Sequence, residues 1–134
     1  MQVGMVFLLY SAMEGFAIPA FGSPRVGLSV HTLAALQAVL LLVLGLIWPR
    51  LTLGEGSSRA AFWCLVYSSA AILVAYTMAA AMGVGNETIA LAGELPHGLH
   101  RGTPAQETAI KIAAYSSAPS GLAAFGWILW GLRR

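Results

Sequence analysis

The chain has 134 residues, of which 58% are hydrophobic and only 9% charged, and its mean hydropathy is +0.78. Soluble domains carry roughly 25% charged residues, so the composition excludes a soluble globule and points to an integral membrane protein. The net charge of +2 comes with no basic patch interleaved with aromatics, which excludes a nucleic-acid surface, and the single cysteine, Cys64, excludes an internal disulfide or a cysteine-based metal cluster within one chain.

A membrane-crossing helix needs about 20 residues. The polar intervals leave room for four, so the expected fold is all-α, an integral membrane bundle of four transmembrane helices. It forms one domain over residues 1–134, with spans at about 3–20, 28–48, 60–82 and 108–132.

No lysine or arginine precedes the first apolar run, and Glu14 interrupts it, so the run reads as a retained span and not a signal peptide. Its polar members are Tyr10, Ser11 and Glu14. A lone carboxylate at mid-bilayer costs about 2.5 to 3.5 kcal/mol on insertion scales. Glu14 is therefore expected to be protonated, paired, or facing a wet cavity, either bridging helices or serving a function.

The connection to the second span contains Gly22 and Ser23, followed by Pro24. Serine is a natural N-cap and proline suits the first helical position, so the second helix starts early. His31 follows, and residues 33–48 contain no ionisable side chain. An imidazole about one turn inside a membrane span is either a neutral group hydrogen-bonded to a neighbouring helix or a metal ligand. The positions sharing its face are Ala34, Ala35, Ala38, Leu42 and Gly45, a stripe of mostly small side chains that leaves space for a close-packed helix or a flat ligand. Gln37 points about 120° away on an ideal helix, so it and His31 need different partners or a site shared between helices. Trp48, Pro49 and Arg50 mark the opposite interface.

Residues 51–59, with Gly54, Glu55, Gly56, Ser57 and Ser58, read as a short exposed turn. In the third span Ser69 and Tyr76 share a face and Tyr67 lies opposite. Residues 83–107 form the longest polar segment. Its histidines, His97 and His100, have a metal-like spacing, but Pro96, Gly98 and Gly102 argue for a loop and for exposed imidazoles. Thr103 before Pro104, with Glu107 in the first turn, starts the fourth helix. There Ala113, Ser117 and Gly121 form a small-residue seam, and Pro119 removes one backbone hydrogen bond. Arg50, Arg59, Arg133 and Arg134 fall on one side against Arg25, Arg101 and Lys111 on the other. This bias places both termini in the cytoplasm, and the expected location is a bacterial inner membrane with His31 near the outer face.

Three stretches together resemble the hydroxylaminobenzene mutase family. They are Ser23-Pro24-Arg25-Val26-Gly27-Leu28-Ser29-Val30-His31, Gly45-Leu46-Ile47-Trp48-Pro49-Arg50, and His100-Arg101-Gly102-Thr103-Pro104-Ala105-Gln106-Glu107; the ending Trp130-Gly131-Leu132-Arg133-Arg134 extends the match over most of the chain. The pattern is more distantly similar to styrene oxide isomerases. The resemblance implies a four-helix membrane enzyme that rearranges an aryl hydroxylamine to an aminophenol, or an aryl epoxide to a carbonyl compound. It further implies haem b bound through His31 as the metal ligand, a small aromatic substrate, and a homo-oligomer, a trimer in the isomerases. Gln37 stands where the isomerases have asparagine, and Tyr67 falls near the polar pocket residues of their third helix. These two are the expected catalytic side chains, orienting the substrate and stabilising developing positive charge.

Two readings come from other classes. A small multidrug-resistance-like transporter would use Glu14 to exchange protons for a cationic drug, but it explains neither His31 nor the segment from Thr103 to Glu107. A haem electron carrier keeps His31 and loses the isomerisation.

Overall fold

The computed structural model describes residues 1–85, 88–89 and 100–133. These form four α-helices: α1 (Gln2–Ala17), α2 (Pro24–Ile47), α3 (Glu55–Met82) and α4 (Pro104–Gly131). The first two end alike, each tightening into a single 3-10 turn that contains a proline, Ile18–Ala20 with Pro19 and Trp48–Arg50 with Pro49. Proline has no N–H for the next α-helical bond, so the chain closes with shorter bonds, Phe21 N–H to the Ile18 carbonyl and Leu51 N–H to the Trp48 carbonyl.

Helix starts follow the cap residues. Pro24 and Pro104 each occupy the first turn of their helix. Thr103 and Gln106 make a reciprocal capping box ahead of α4. Helix α3 begins at Glu55, so the exposed turn expected over residues 51–59 is only 51–54. The reason is local: Gly54 serves as N-cap, Glu55 sits favourably on the positive end of the helix dipole, and glycine and serine are cheap in a first turn. At the other end Gly83 adopts φ 65°, the left-handed conformation that closes a helix.

Three segments, Gln2–Ala20, Pro24–Arg50 and Glu55–Met82, are long and apolar enough to cross a membrane. Helix α4 has the same 28 residues as α3 but carries Lys111, Ser116, Ser117, Pro119 and Ser120, and lies outside that group among the described residues.

The principal packings are α1 on α2, α2 on α3 and α3 on α4. The core runs through Phe7, Val30, Ala34, Ala38, Leu73, Ala79, Ile110 and Ala124, while Phe16, Leu36 and Leu129 point outward. Such an outward apolar surface suits lipid. Close approach depends on glycine at two seams. A Cβ on Gly4 would lie 2.8 Å from Leu42 Cγ and 3.0 Å from the Ala38 carbonyl, and one on Gly121 would lie 2.7 Å from Ser68 Oγ. The small-residue stripe of α2 is thus filled by α1, and a flat ligand at His31 has to lie beside the stripe and not in it.

Short polar ties join the ends. The Gly22 and Ser23 N–H groups donate to the Ala81 and Ala80 carbonyls, and the Thr52 N–H and hydroxyl both donate to the Gly131 carbonyl at 3.0 Å.

Candidate active site

The antiparallel packing of α1 on α2 brings one turn of α1 against His31. Ser11, Glu14 and Gly15 stand at i, i+3 and i+4, the spacing that puts side chains on one helix face. The imidazole Nδ1 lies 2.9 Å from the Ser11 carbonyl oxygen and donates to it, while the Ser11 hydroxyl donates to the His31 carbonyl at 3.0 Å. The ring rests on Gly15, where a Cβ would come within 3.2 Å of both Nδ1 and Cε1. A carbonyl can only accept, so the bond to Ser11 sets the tautomer with the proton on Nδ1 and leaves a lone pair on Nε2. Among the described residues Nε2 has no hydrogen bond, and 39% of the side chain is exposed.

Glu14 completes the turn. Its side chain is 3% exposed, its Oε2 lies 3.7 Å from His31 Nδ1, and neither carboxyl oxygen has a hydrogen-bond partner among the described residues.

The other expected site residues lie elsewhere. Gln37 faces α3 and its Oε1 accepts from the Ser69 hydroxyl at 2.9 Å. Tyr67 is 53% exposed and donates to Ser116 of α4 at 2.9 Å. Tyr76, opposite Tyr67, is half-buried against the core. Within one chain His31, Gln37 and Tyr67 therefore make three separate polar contacts on three different packings. A groove of about 500 Å³ between α2 and α3 is lined by Arg25, Leu28, Thr32, Leu36, Tyr76 and Ile89, and includes none of the three. His100 is exposed, with its backbone N–H on the Gly83 carbonyl; His97 lies outside the described residues.

Composition alone did not single out Gly15 or the backbone carbonyl of Ser11. The signal was present as a small and polar i, i+3, i+4 set on α1, but which helix it would face is decided by packing.

Among the described residues no cluster of three or more His, Cys, Asp or Glu side chains could hold a bare metal ion. One imidazole with a fixed tautomer and an open lone pair does fit a metal that arrives with most of its own ligands, as in a haem macrocycle.

The sequence profile described as styrene oxide isomerase matches residues 1–133. The hydroxylaminobenzene mutase HabB of Ectopseudomonas oleovorans is 40% identical over 133 residues, covering 99% of this chain and 79% of its own length. The hydroxylaminobenzene mutase HabA of the same organism is 31% identical over 131 residues, covering 98% of this chain and 94% of its own. No solved structure gives a significant match.

Proposed function

Because the chain belongs to the styrene oxide isomerase family and is an intramolecular isomerase of aromatic compounds, we propose that it rearranges an aryl hydroxylamine to an aminophenol, or an aryl epoxide to a carbonyl compound, with His31 as the residue that would hold haem b. The observation that supports the cofactor is the Nδ1 bond to the Ser11 carbonyl, which leaves Nε2 as a ligating nitrogen. Bound there, ferric iron supplies a Lewis acid for the substrate oxygen.

The chain's own groups do the rest. The Ser11 carbonyl and Gly15 hold the imidazole in orientation. The Gln37 amide and the Tyr67 hydroxyl orient the substrate and stabilise positive charge as the nitrogen-oxygen or carbon-oxygen bond opens. The apolar surroundings exclude water, which would otherwise capture the cationic species and divert an epoxide to a diol. Since these polar groups lie on different packings of one chain, their convergence on one substrate requires an interface between copies. A homo-oligomer, a trimer by resemblance, is part of the reading.

The topology belongs to it as well. Helix α4 crosses the membrane beside α3, because it is tied to the start of α3's segment through Thr52 and Gly131 and to its far end through Glu107 and Gly85. The single domain of residues 1–134 then has four spans and both termini in the cytoplasm of a bacterial inner membrane. The transporter and electron-carrier readings lose their support, since Glu14 faces His31 and the family is one of isomerases.

The test is an absorption spectrum of protein purified from haem-replete cells, with turnover of hydroxylaminobenzene and styrene oxide. A Soret band and product formation are expected, both lost in His31→Ala and partly restored by added imidazole. A folded protein without a Soret band after haem addition would remove the cofactor. Full haem content and turnover in His31→Ala would move the ligand elsewhere.

A further inference from the structure

Glu14 is the one feature of this site that the proposed chemistry does not use. Its carboxyl is buried, both oxygens lack a hydrogen-bond donor among the described residues, and it stands on the α1 turn that carries the imidazole. Burying such a group without a partner is costly, and packing alone does not call for it, because Gly4 and the Ser11 contacts already join α1 to α2. The polar hydrogen it faces is the Nδ1–H of His31. Three oxygens of one α1 turn face that hydrogen, the Ser11 carbonyl at 2.9 Å, the Ser11 hydroxyl at 3.3 Å and Glu14 Oε2 at 3.7 Å, the last beyond hydrogen-bond length but the one that belongs to an acid. In a poorly screened interior an acceptor at that distance still polarises the N–H.

We propose that Glu14 is a positioning residue for His31, whose carboxyl polarises the Nδ1–H, strengthens Nε2 as a donor and so tightens the hold on haem iron. The inference rests on His31 being the residue that holds the haem. An acceptor on the far nitrogen of a ligating histidine fixes its orientation and raises its basicity, and loss of such a partner lowers metal affinity by about 10- to 100-fold.

The experiment compares the full chain, loaded with haem in detergent, as unmodified protein, Glu14→Gln and Glu14→Met. Methionine matches glutamate in length but offers no acceptor oxygen; glutamine keeps one. Two quantities are read: haem transfer to excess apomyoglobin, and the iron–histidine stretching band of the reduced protein by resonance Raman. Glu14→Met is expected to lose haem about 10- to 100-fold more readily, with the band moved to lower frequency, and Glu14→Gln to fall between. Unchanged transfer and band in Glu14→Met overturn the proposal. Faster transfer with an unmoved band, or failure of both variants to fold, overturns it in favour of a structural role. If the unmodified protein takes up no haem, the cofactor reading fails by itself. The ¹⁵N shifts of His31 then judge Glu14: an Nε2–H fraction appearing in Glu14→Met supports the contact, and identical spectra refute it.

Discussion

Ser11 holds His31 with both its backbone and its side chain: the carbonyl accepts from the imidazole Nδ1–H at 2.9 Å, and the hydroxyl donates to the His31 carbonyl at 3.0 Å while its oxygen lies 3.3 Å from Nδ1. The two kinds of contact separate under mutation, because the carbonyl stays when the hydroxyl is removed. Ser11→Ala removes a membrane interhelical bond worth about 0.6 to 1.7 kcal/mol, together with the hydroxyl oxygen at 3.3 Å from Nδ1, and leaves the shorter carbonyl acceptor in place. A lower midpoint of thermal unfolding in detergent is expected, with turnover kept within a few-fold.

Gly15→Ala has the opposite profile. The new Cβ would sit 3.2 Å from Nδ1 and Cε1, so the ring has to move by a few tenths of an ångström. Alanine favours the helix by about 1 kcal/mol over glycine, so stability holds or rises. Turnover is expected to fall by about tenfold, as misplacement of a positioned group costs rate steeply. Steady-state kinetics beside a melting curve decide it.

The α3–α4 seam offers a double-variant cycle. A Cβ on Gly121 meets Ser68 Oγ at 2.7 Å, and that hydroxyl donates to the Ser117 carbonyl at 2.8 Å. Gly121→Ala is expected to destabilise by about 1 to 3 kcal/mol through overpacking. Adding Ser68→Ala makes room and recovers part of the loss, which chemical unfolding in mixed micelles reads as a non-additive coupling.

Glu107 is buried, and its Oε1 accepts from the Gly85 N–H at 3.0 Å and from the Gly102 N–H at 2.9 Å. Removing it strands two backbone donors, so Glu107→Ala is expected to cost about 2 to 4 kcal/mol. Amide exchange at Gly85 and Gly102 should accelerate first, while Glu107→Gln, which keeps an acceptor, should slow both again.

Much of this arrangement could be read from residue types. Pro24, the pair Thr103 and Pro104, and the prolines closing α1 and α2 act within a few residues, so the ends they set were accessible to local reasoning, as was the close approach at Ser117 and Gly121. The start of α3 was not. Gly54, Gly56, Ser57 and Ser58 have turn-like preferences, and the cap and dipole that make a first helical turn of them are weak signals beside composition. Helical periodicity gave the angle between His31 and Gln37 and the opposition of Tyr67 to Tyr76, yet it does not identify the neighbour on each face. That Gln37 meets Ser69, Tyr67 meets Ser116 and His31 rests on Gly15 depends on which helices pack together.

The ties from Gly22 and Ser23 to the Ala81 and Ala80 carbonyls bear on the order of assembly. The final carbonyls of a helix have no partner within it, and two of those of α3 are taken up by the link between α1 and α2. The last turn of α3 is therefore completed by residues synthesised some sixty positions earlier, so the leading hairpin acts as a template on which α3 finishes. If the chain is cut within residues 51–54, the trailing half is expected to insert yet stay frayed at its 80–83 end until the leading half is supplied. Co-expression of the two halves, with protease sensitivity at that end as the readout, follows this directly.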